Sequence, residues 1–418
     1  MEEKQKRIAN IQIWVFIIGF AIIFAFFFYG LYERKNEMQT LVFFRQGENY
    51  MADFLNVLEY SVNLNPYVNE INGFCEKAYF PLSYVIFFAF GKLMGFDGYD
   101  GTLESVSFQE LVFTNCIMML MMALLAVQIF DMLDKEKWYK FLIAAILMVS
   151  GVSLFSYERG NIIVLAVSGM LFFIATYDSE NKILRELGYI ALAFAAALKG
   201  YPAILGLLLV YKRQWKEALR LVVYGVIAAF GPFLLLEGGV SNIQFWQRNW
   251  KLNTEVYEFV QQPKLGYYYF IAYAKDLVFE QREHLRDVWK PIINILAVLG
   301  VVSNFFQKRK WITVGMLTVI ILMIPSNCGY YCLLYIFPVI LLYLNEKDKR
   351  WLDLAYIPIF LMLLCPFQMI EKETGKNLTL YWSNITLVVL FSGLLLENIW
   401  CMIKTGIDKK KGITTDGN

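Results

Sequence analysis

The chain has 418 residues, of which 58% are hydrophobic, 17% aromatic and only 18% charged, and its mean hydropathy is +0.48. A water-soluble domain of this length does not carry so much apolar surface, so the composition predicts an integral membrane protein of all-α fold, a polytopic helical bundle. A formal net charge of +2 leaves no basic footprint for nucleic acid, and one histidine, His284, leaves histidine-based triads and multi-histidine metal sites nothing to build with.

The first apolar run, residues 11–32, is too long for a signal-peptide core and lacks a small-residue cleavage site, so it reads as a retained anchor. In the polar loop after it, "GENYMADFLNVLEYSVNLNPY" reads as an amphipathic helix, with Phe54, Val57, Leu58 and Val62 on one stripe and Asp53, Asn56 and Glu59 beside it. "AYFPLSYVIFFAF" opens a second helix with Pro81 in its first turn, where the missing N–H is harmless. Apolar runs follow at 108–130, 139–156, 162–177, 187–198, 203–211, 218–236, 292–306, 311–325, 331–344, 351–365 and 382–403, which with the anchor makes twelve candidate spans. Two of them, 187–198 and 203–211, are too short to cross a core of about 30 Å as straight helices, and a closely packed pair of short or broken helices is expected there. The six cysteines lie mostly inside apolar runs and read as small core residues rather than a disulfide framework or zinc site.

Lys and Arg concentrate in alternate connections, as they do in cytoplasmic loops. With residues 80–96 taken as interfacial, the segments "MEEKQKRIAN", "DKEKWYK", "DSENKILRE", "YKRQWKEALR", "QKRK", "EKDKRW" and "KTGIDKKKG" fall on one side. The other side holds two long loops, 33–107 and 237–291, together with "YERGN", "KGYP", "PSNCGYY" and "PFQMIEKETGKNLTLYWSN". Counting 80–96 as a span would put the acidic "DGYDGTLESVS" inside and the basic clusters outside. The expectation is one membrane domain over 1–418, both termini cytoplasmic, a cytoplasmic tail at 404–418, and the polar oddities of the sequence gathered on one outer face of the lipid bilayer.

Four of those oddities could carry chemistry. Asp53, on the polar edge of its helix, could serve as a general base or merely cap the helix. In "YERGN", Glu158 and Arg159 could snorkel or pair; alternatively Gly160 and Asn161 lead into a helix from Ile162 whose free N–H groups, beside Arg159, would make an anion site. In "AALKGYPAILG", Lys199 follows an apolar run and Gly200, Tyr201 and Pro202 break the helix, so the lysine either snorkels or joins Arg159 in holding a phosphate. The turn "IPSNCGYYCLLYIFP" brings Asn327, Tyr330 and Tyr331, either an interfacial aromatic belt or a contact surface. "FWQRNWKLNTEVYEFVQQPKLGYYYF" mixes aromatic and amide residues as sugar-contacting surfaces do.

Taken in order, "ADFLNVLEYSVNLNPY", "YFPLSYVIFF", "ERGNIIVL", "AALKGYPAILGLLLVYKRQWKEAL" and "PSNCGYYCLLYIFP" make the chain, from about residue 10 to 340, resemble glycosyltransferase family 87. The resemblance implies an integral-membrane enzyme of the GT-C fold that takes a sugar, often mannose, from a polyprenyl-phosphate donor and passes it to a glycan or glycolipid acceptor. The family's proposed catalytic base, an acid of the first outer loop, corresponds to Asp53. The family proline of the next helix matches Pro81, and its lysine and proline after the fifth span match Lys199 and Pro202. Its Gly-Gln-x-Asn stretch appears as Arg159, Gly160 and Asn161 without the glutamine, and "NCGYY" stands where many members carry a histidine. On this reading Arg159, Lys199 and Asn161 bind the donor phosphate, with Glu158, Gly160, Tyr201, Pro202, Pro81, Asn327 and Tyr330 in support. No cofactor and no metal are expected, although Glu158 is an acid that could hold a divalent ion, and Glu48 and Glu158 are the alternative bases. An envelope polysaccharide polymerase and a lipid-linked glycan transporter are the competing functions. The transporter should show an internal repeat and a mid-membrane polar path, and the sequence has neither.

Overall fold

The computed structural model describes residues 2–33, 50–71, 73–259, 264–267, 279–325, 327–366 and 378–410. Residues 34–49 of the first loop, Glu48 among them, 260–263 and 268–278 of the second, 367–377 and the last residues of the tail lie outside the described residues. The α-helices are α1 (Glu2–Glu33), α2 (Ala52–Ser61), α3 (Pro81–Met94), α4 (Phe108–Met132), α5 (Lys137–Met148), α6 (Gly151–Arg159), α7 (Ile163–Thr176) and α8 (Lys182–Lys199). They continue as α9 (Leu207–Tyr211), α10 (Trp215–Phe230), α11 (Asn242–Phe259), α12 (Phe279–Ser303), α13 (Lys310–Met323), α14 (Phe337–Asn345), α15 (Tyr356–Leu363) and α16 (Leu378–Lys410). Among the described residues the only β pairing is one isolated bridge between Leu265 and Cys328.

Local chemistry explains where these helices begin. Ser107 and Glu110 form a reciprocal capping box at the start of α4, and Pro81 opens α3. Asn181 accepts the N–H groups of Ile183 and Leu184, so the polar "KILRE" joins the helix. The apolar run 187–198 is therefore part of an 18-residue helix rather than a short one. The run 203–211 does break, as a 3₁₀ stretch from Tyr201 to Gly206 followed by α9. The run 139–156 is bent by 53° between α5 and α6.

Among the described residues, five helices are long and apolar enough to cross a membrane, Glu3–Tyr29, Phe108–Met132, Trp215–Leu235, Asp287–Phe306 and Leu378–Asp408, or six when the bent α5–α6 pair is counted. Other apolar helices, including α3, α7 and α13, have 10–17 residues, about 15–25 Å at the α-helical rise, and stop short of a core of about 30 Å. Their burial differs to match. Every side chain from Trp311 to Met323 on α13 is buried, whereas α4, α10, α12 and α16 keep apolar side chains such as Leu120, Ile227, Ile295 and Leu396 exposed. Short helices therefore fill the core and long ones form an apolar belt of the kind lipid covers.

Polar groups collect at two opposite ends. α7 runs from Ile163, beside Asn161 and Asp53, to a turn where Asp178 pairs with Lys212 at 2.8 Å and Lys310 at 3.9 Å. At that second end Arg309 and Arg350 converge on Asp353, and Arg350 also holds Glu397 at 2.7 Å. α8 begins there and returns to the first end at Lys199. The return is close because Gly169 of α7 lies against Ala191 and Ala195 of α8, and Gly188 of α8 against Thr176.

Candidate functional site

Asp53 stands in the first turn of α2, and the chain reaches that helix through Met51, whose φ is 55°. The Met51 N–H donates to the Glu158 carbonyl at 2.7 Å, tying this turn to the end of α6. Gly160 closes α6 at φ 65°, and a Cβ there would lie 2.8 Å from Phe54 Cβ, so only glycine lets the two segments touch. The consequence is a three-residue cluster. Arg159 donates from Nε to Asp53 Oδ1 at 3.1 Å and also from Nη2, while Asn161 Nδ2 donates to Oδ2 at 2.6 Å. Asp53 is thus oriented by two side chains rather than spent as a helix cap. The Arg159 and Asp53 side chains stay 24% and 17% exposed, enough for a ligand to reach them.

Asn161 has a second task that the sequence reading missed. Its Oδ1 accepts the N–H of Ile163 at 3.0 Å, so the start of α7 is capped from within and does not present the open set of N–H groups expected there. Glu158, next to Arg159 in the chain, is buried.

Lys199 ends α8 in a separate setting. Gly200, at φ 70°, turns the chain into the 3₁₀ stretch that Pro202 opens, and Ser83 of α3 holds the Leu198 carbonyl at 3.1 Å. The ammonium donates to the Tyr79 hydroxyl at 3.0 Å. It lines a cavity of about 370 Å³, within the ordinary range for small-molecule sites. Phe80 and Trp246 stack on one side of that cavity, 5.1 Å between centroids, and Glu76, Asn253 and Asn327 supply polar groups. Tyr201, whose hydroxyl donates to the Asn327 carbonyl at 3.2 Å, lines its wall, and Pro81, buried at the start of α3, follows the lining residue Phe80.

Lys199 and Arg159 therefore have different hydrogen-bond partners. Tyr331 joins their two settings. Its ring lies 5.7 Å from the Lys199 ammonium, and its hydroxyl is within Coulombic reach of Asp53 and Arg159. Tyr330 points elsewhere, its ring edge-on to Phe155 and its hydroxyl donating to the Cys365 carbonyl at 3.3 Å. Sequence reasoning passed over Tyr79, Glu76 and Lys264. Lys264 is buried and donates to Asn327 Oδ1; a lysine in an aromatic loop was the only signal for it. A second groove, of about 590 Å³ between α15 and α16, offers no comparable chemistry, since its Arg350 is held by Asp353 and Glu397.

The family model of glycosyltransferase family 87 matches residues 79–325, more than half of the chain. The chain belongs to glycosyltransferase family 87. It is a membrane glycosyltransferase, which sets the transporter aside. The family 87 match takes in Tyr79, Arg159, Asn161, Lys199 and Trp246; Asp53, held by Asn161, precedes it, and Asn327, in the Lys199 cavity, follows it. No curated protein and no solved structure matches the chain.

Proposed function

We propose that this family 87 enzyme is a GT-C-type transferase that moves a hexosyl unit, mannosyl in the first instance, from a polyprenyl-phosphate sugar to a glycan or glycolipid acceptor of the cell envelope. In this reading residues 1–418 make one multi-pass domain of twelve apolar segments in the cell membrane, with both termini cytoplasmic and the site on the outer face. One observation carries it: a carboxylate and a lysine-lined aromatic cavity flank a single tyrosine, Tyr331, at one end of a helical bundle.

The donor phosphate rests on Lys199, which stabilises it as a leaving group. The lipid tail leaves past Phe80, Trp246 and Phe230, whose rings are 5.1–5.9 Å apart, and the sugar occupies the cavity. Asp53 takes the proton of the acceptor hydroxyl as that oxygen bonds to the anomeric carbon and the bond from that carbon to the phosphate oxygen breaks. Displacement with a single base inverts the configuration. Arg159 and Asn161 aim Asp53, and with donor bound the planar guanidinium of Arg159 also faces the phosphate. Glu158, Gly160, Pro81, Tyr201, Pro202, Asn327 and Tyr330 act only by shaping this end. The two cations carry the leaving group's charge, so no cofactor or metal is required.

The test is transfer of labelled sugar by purified protein in detergent, first from undecaprenyl-phosphate-mannose and then from the glucose and arabinose donors. Transfer with inverted anomeric configuration, insensitive to chelator, is the expected result. Retention would overturn the single-base displacement. Activity lost to a chelator and restored by a divalent ion would overturn metal independence, and no turnover with any donor would overturn the donor class.

A further inference from the structure

Lys264 lies between α11 and α12, and only 8% of its surface is exposed. The backbone on its C-terminal side is pinned. Leu265 N–H donates to the Cys328 carbonyl at 2.8 Å and Gly266 N–H to Asn384 Oδ1 at 2.8 Å, while the Asn384 amide donates back to the Lys264 carbonyl at 2.9 Å. From this fixed base the ammonium donates to Asn327 Oδ1. That bond decides which way the Asn327 amide faces, because an amide that gives its oxygen to a cation must turn its NH₂ the other way. Asn327 Nδ2 accordingly donates to Asn253 Oδ1 at 3.4 Å, and Asn253 Nδ2 donates to the Cys75 carbonyl at 2.7 Å. Asn327 and Asn253 both line the Lys199 cavity.

An ammonium withdrawn from water is costly, and a methionine of similar length would fill the space without that cost. What the lysine adds is orientation. Two amides locked in register present a fixed order of donors and acceptors, which is what discrimination among hydroxyl groups needs, since mismatched polar groups in a dry site go unpaired. Glu76 lines the same cavity, so a sugar bearing its own carboxylate would meet like charge.

We propose that Lys264 is a positioning residue of the Lys199 cavity, fixing through Asn327 and Asn253 the polar wall that binds the hydroxyl groups of a neutral sugar. The proposal rests on the donor-site reading given above. It also has a pH signature. Burial lowers the Lys264 ammonium from its ordinary value to about 8, opposed by the groups that face it, Glu76, Cys328, Cys332 and Asp53. Below that value the ammonium holds Asn327; above it the amine is neutral and the amide loses its charged partner.

Equilibrium binding of labelled undecaprenyl-phosphate-mannose to the full chain in detergent, with undecaprenyl phosphate as the sugar-free comparison, tests this. Wild-type affinity for the mannose lipid should fall between pH 7 and 9 while affinity for the sugar-free lipid holds. Lys264→Met should weaken the mannose lipid on the order of tenfold at pH 7 and spare the sugar-free one, with no further loss at pH 9. Lys264→Arg should restore binding and remove the pH dependence. Equal weakening of both lipids, or a folded Lys264→Met that binds the mannose lipid as wild type does, overturns the proposal. A flat wild-type pH profile overturns it without any variant. A wild-type protein that binds neither lipid overturns the donor-site reading itself, and Lys264 with it.

Discussion

Gly160 closes α6 with a φ of 65°, and Phe54 Cβ and Met51 Sδ approach within 3.0 Å of where its side chain would begin. Gly160→Ala adds both a left-handed strain and an overpacked contact, together about 1–3 kcal/mol, and pushes α2 away from Arg159. The expected outcome is a lower thermal midpoint with a larger proportional loss of transfer activity; a variant with wild-type midpoint and rate would show that the contact is not needed. Asp53, Arg159, Asn161 and Lys199 were conspicuous in the sequence because charged and amide groups stand out at the ends of apolar runs. Their grouping was not. Asp53 is more than a hundred residues from Arg159, and nothing local says that the guanidinium turns to that carboxylate. Tyr331 stood out only as one aromatic of an outer turn, and Tyr79 was invisible for a plainer reason: the chain has 26 tyrosines, and no periodicity marks it.

At the scale of elements, α7 and α8 hold the two halves of the site in register. Gly169 lies 2.7 Å, measured from an added Cβ, from the Ala191 carbonyl, so backbones meet there without side chains between them. Gly169→Leu should force the pair apart, at a cost of about 1–3 kcal/mol, and shift Lys199 relative to Tyr79. Donor binding should therefore weaken even though residue 169 lies within the bundle; unchanged binding in a folded variant would contradict the assigned role of this packing. Apolar runs located nearly every long helix, since composition alone betrays a segment made for lipid. Boundaries were less legible. Asn181 extended α8 into a polar stretch, and the bend between α5 and α6 comes within a run that reads as continuous. Capping and bending depend on one or two residues, and hydropathy averages them away.

For the whole molecule, three buried lysines among the described residues, outside the long apolar helices, share one property. Burial lowers Lys77 and Lys264 to about 8 and Lys349 to about 7. Each is depressed relative to the unfolded chain, so below these values both states are protonated and the desolvation cost is fully present. Between them and the ordinary lysine value the unfolded state binds more protons, and stability rises with pH, by about 1 kcal/mol per group for each pH unit. The apparent midpoint in detergent should climb from pH 7 to 9.5; a flat or falling curve would mean these ammonium groups are better solvated than their burial implies. The division of the bundle into two polar ends, one rich in ion pairs and one carrying the carboxylate and the cavity, is what makes a one-sided chemistry reasonable for this family 87 chain. In the proposed reaction Asp53 removes the acceptor proton. The measurement that tests it most directly is the rate of mannosyl transfer from undecaprenyl-phosphate-mannose by Asp53→Asn against wild type, with donor binding measured on the same preparations. A rate lower by about 10²–10⁴-fold with donor binding retained is the predicted result; equal rates would contradict it and remove Asp53 from the reaction.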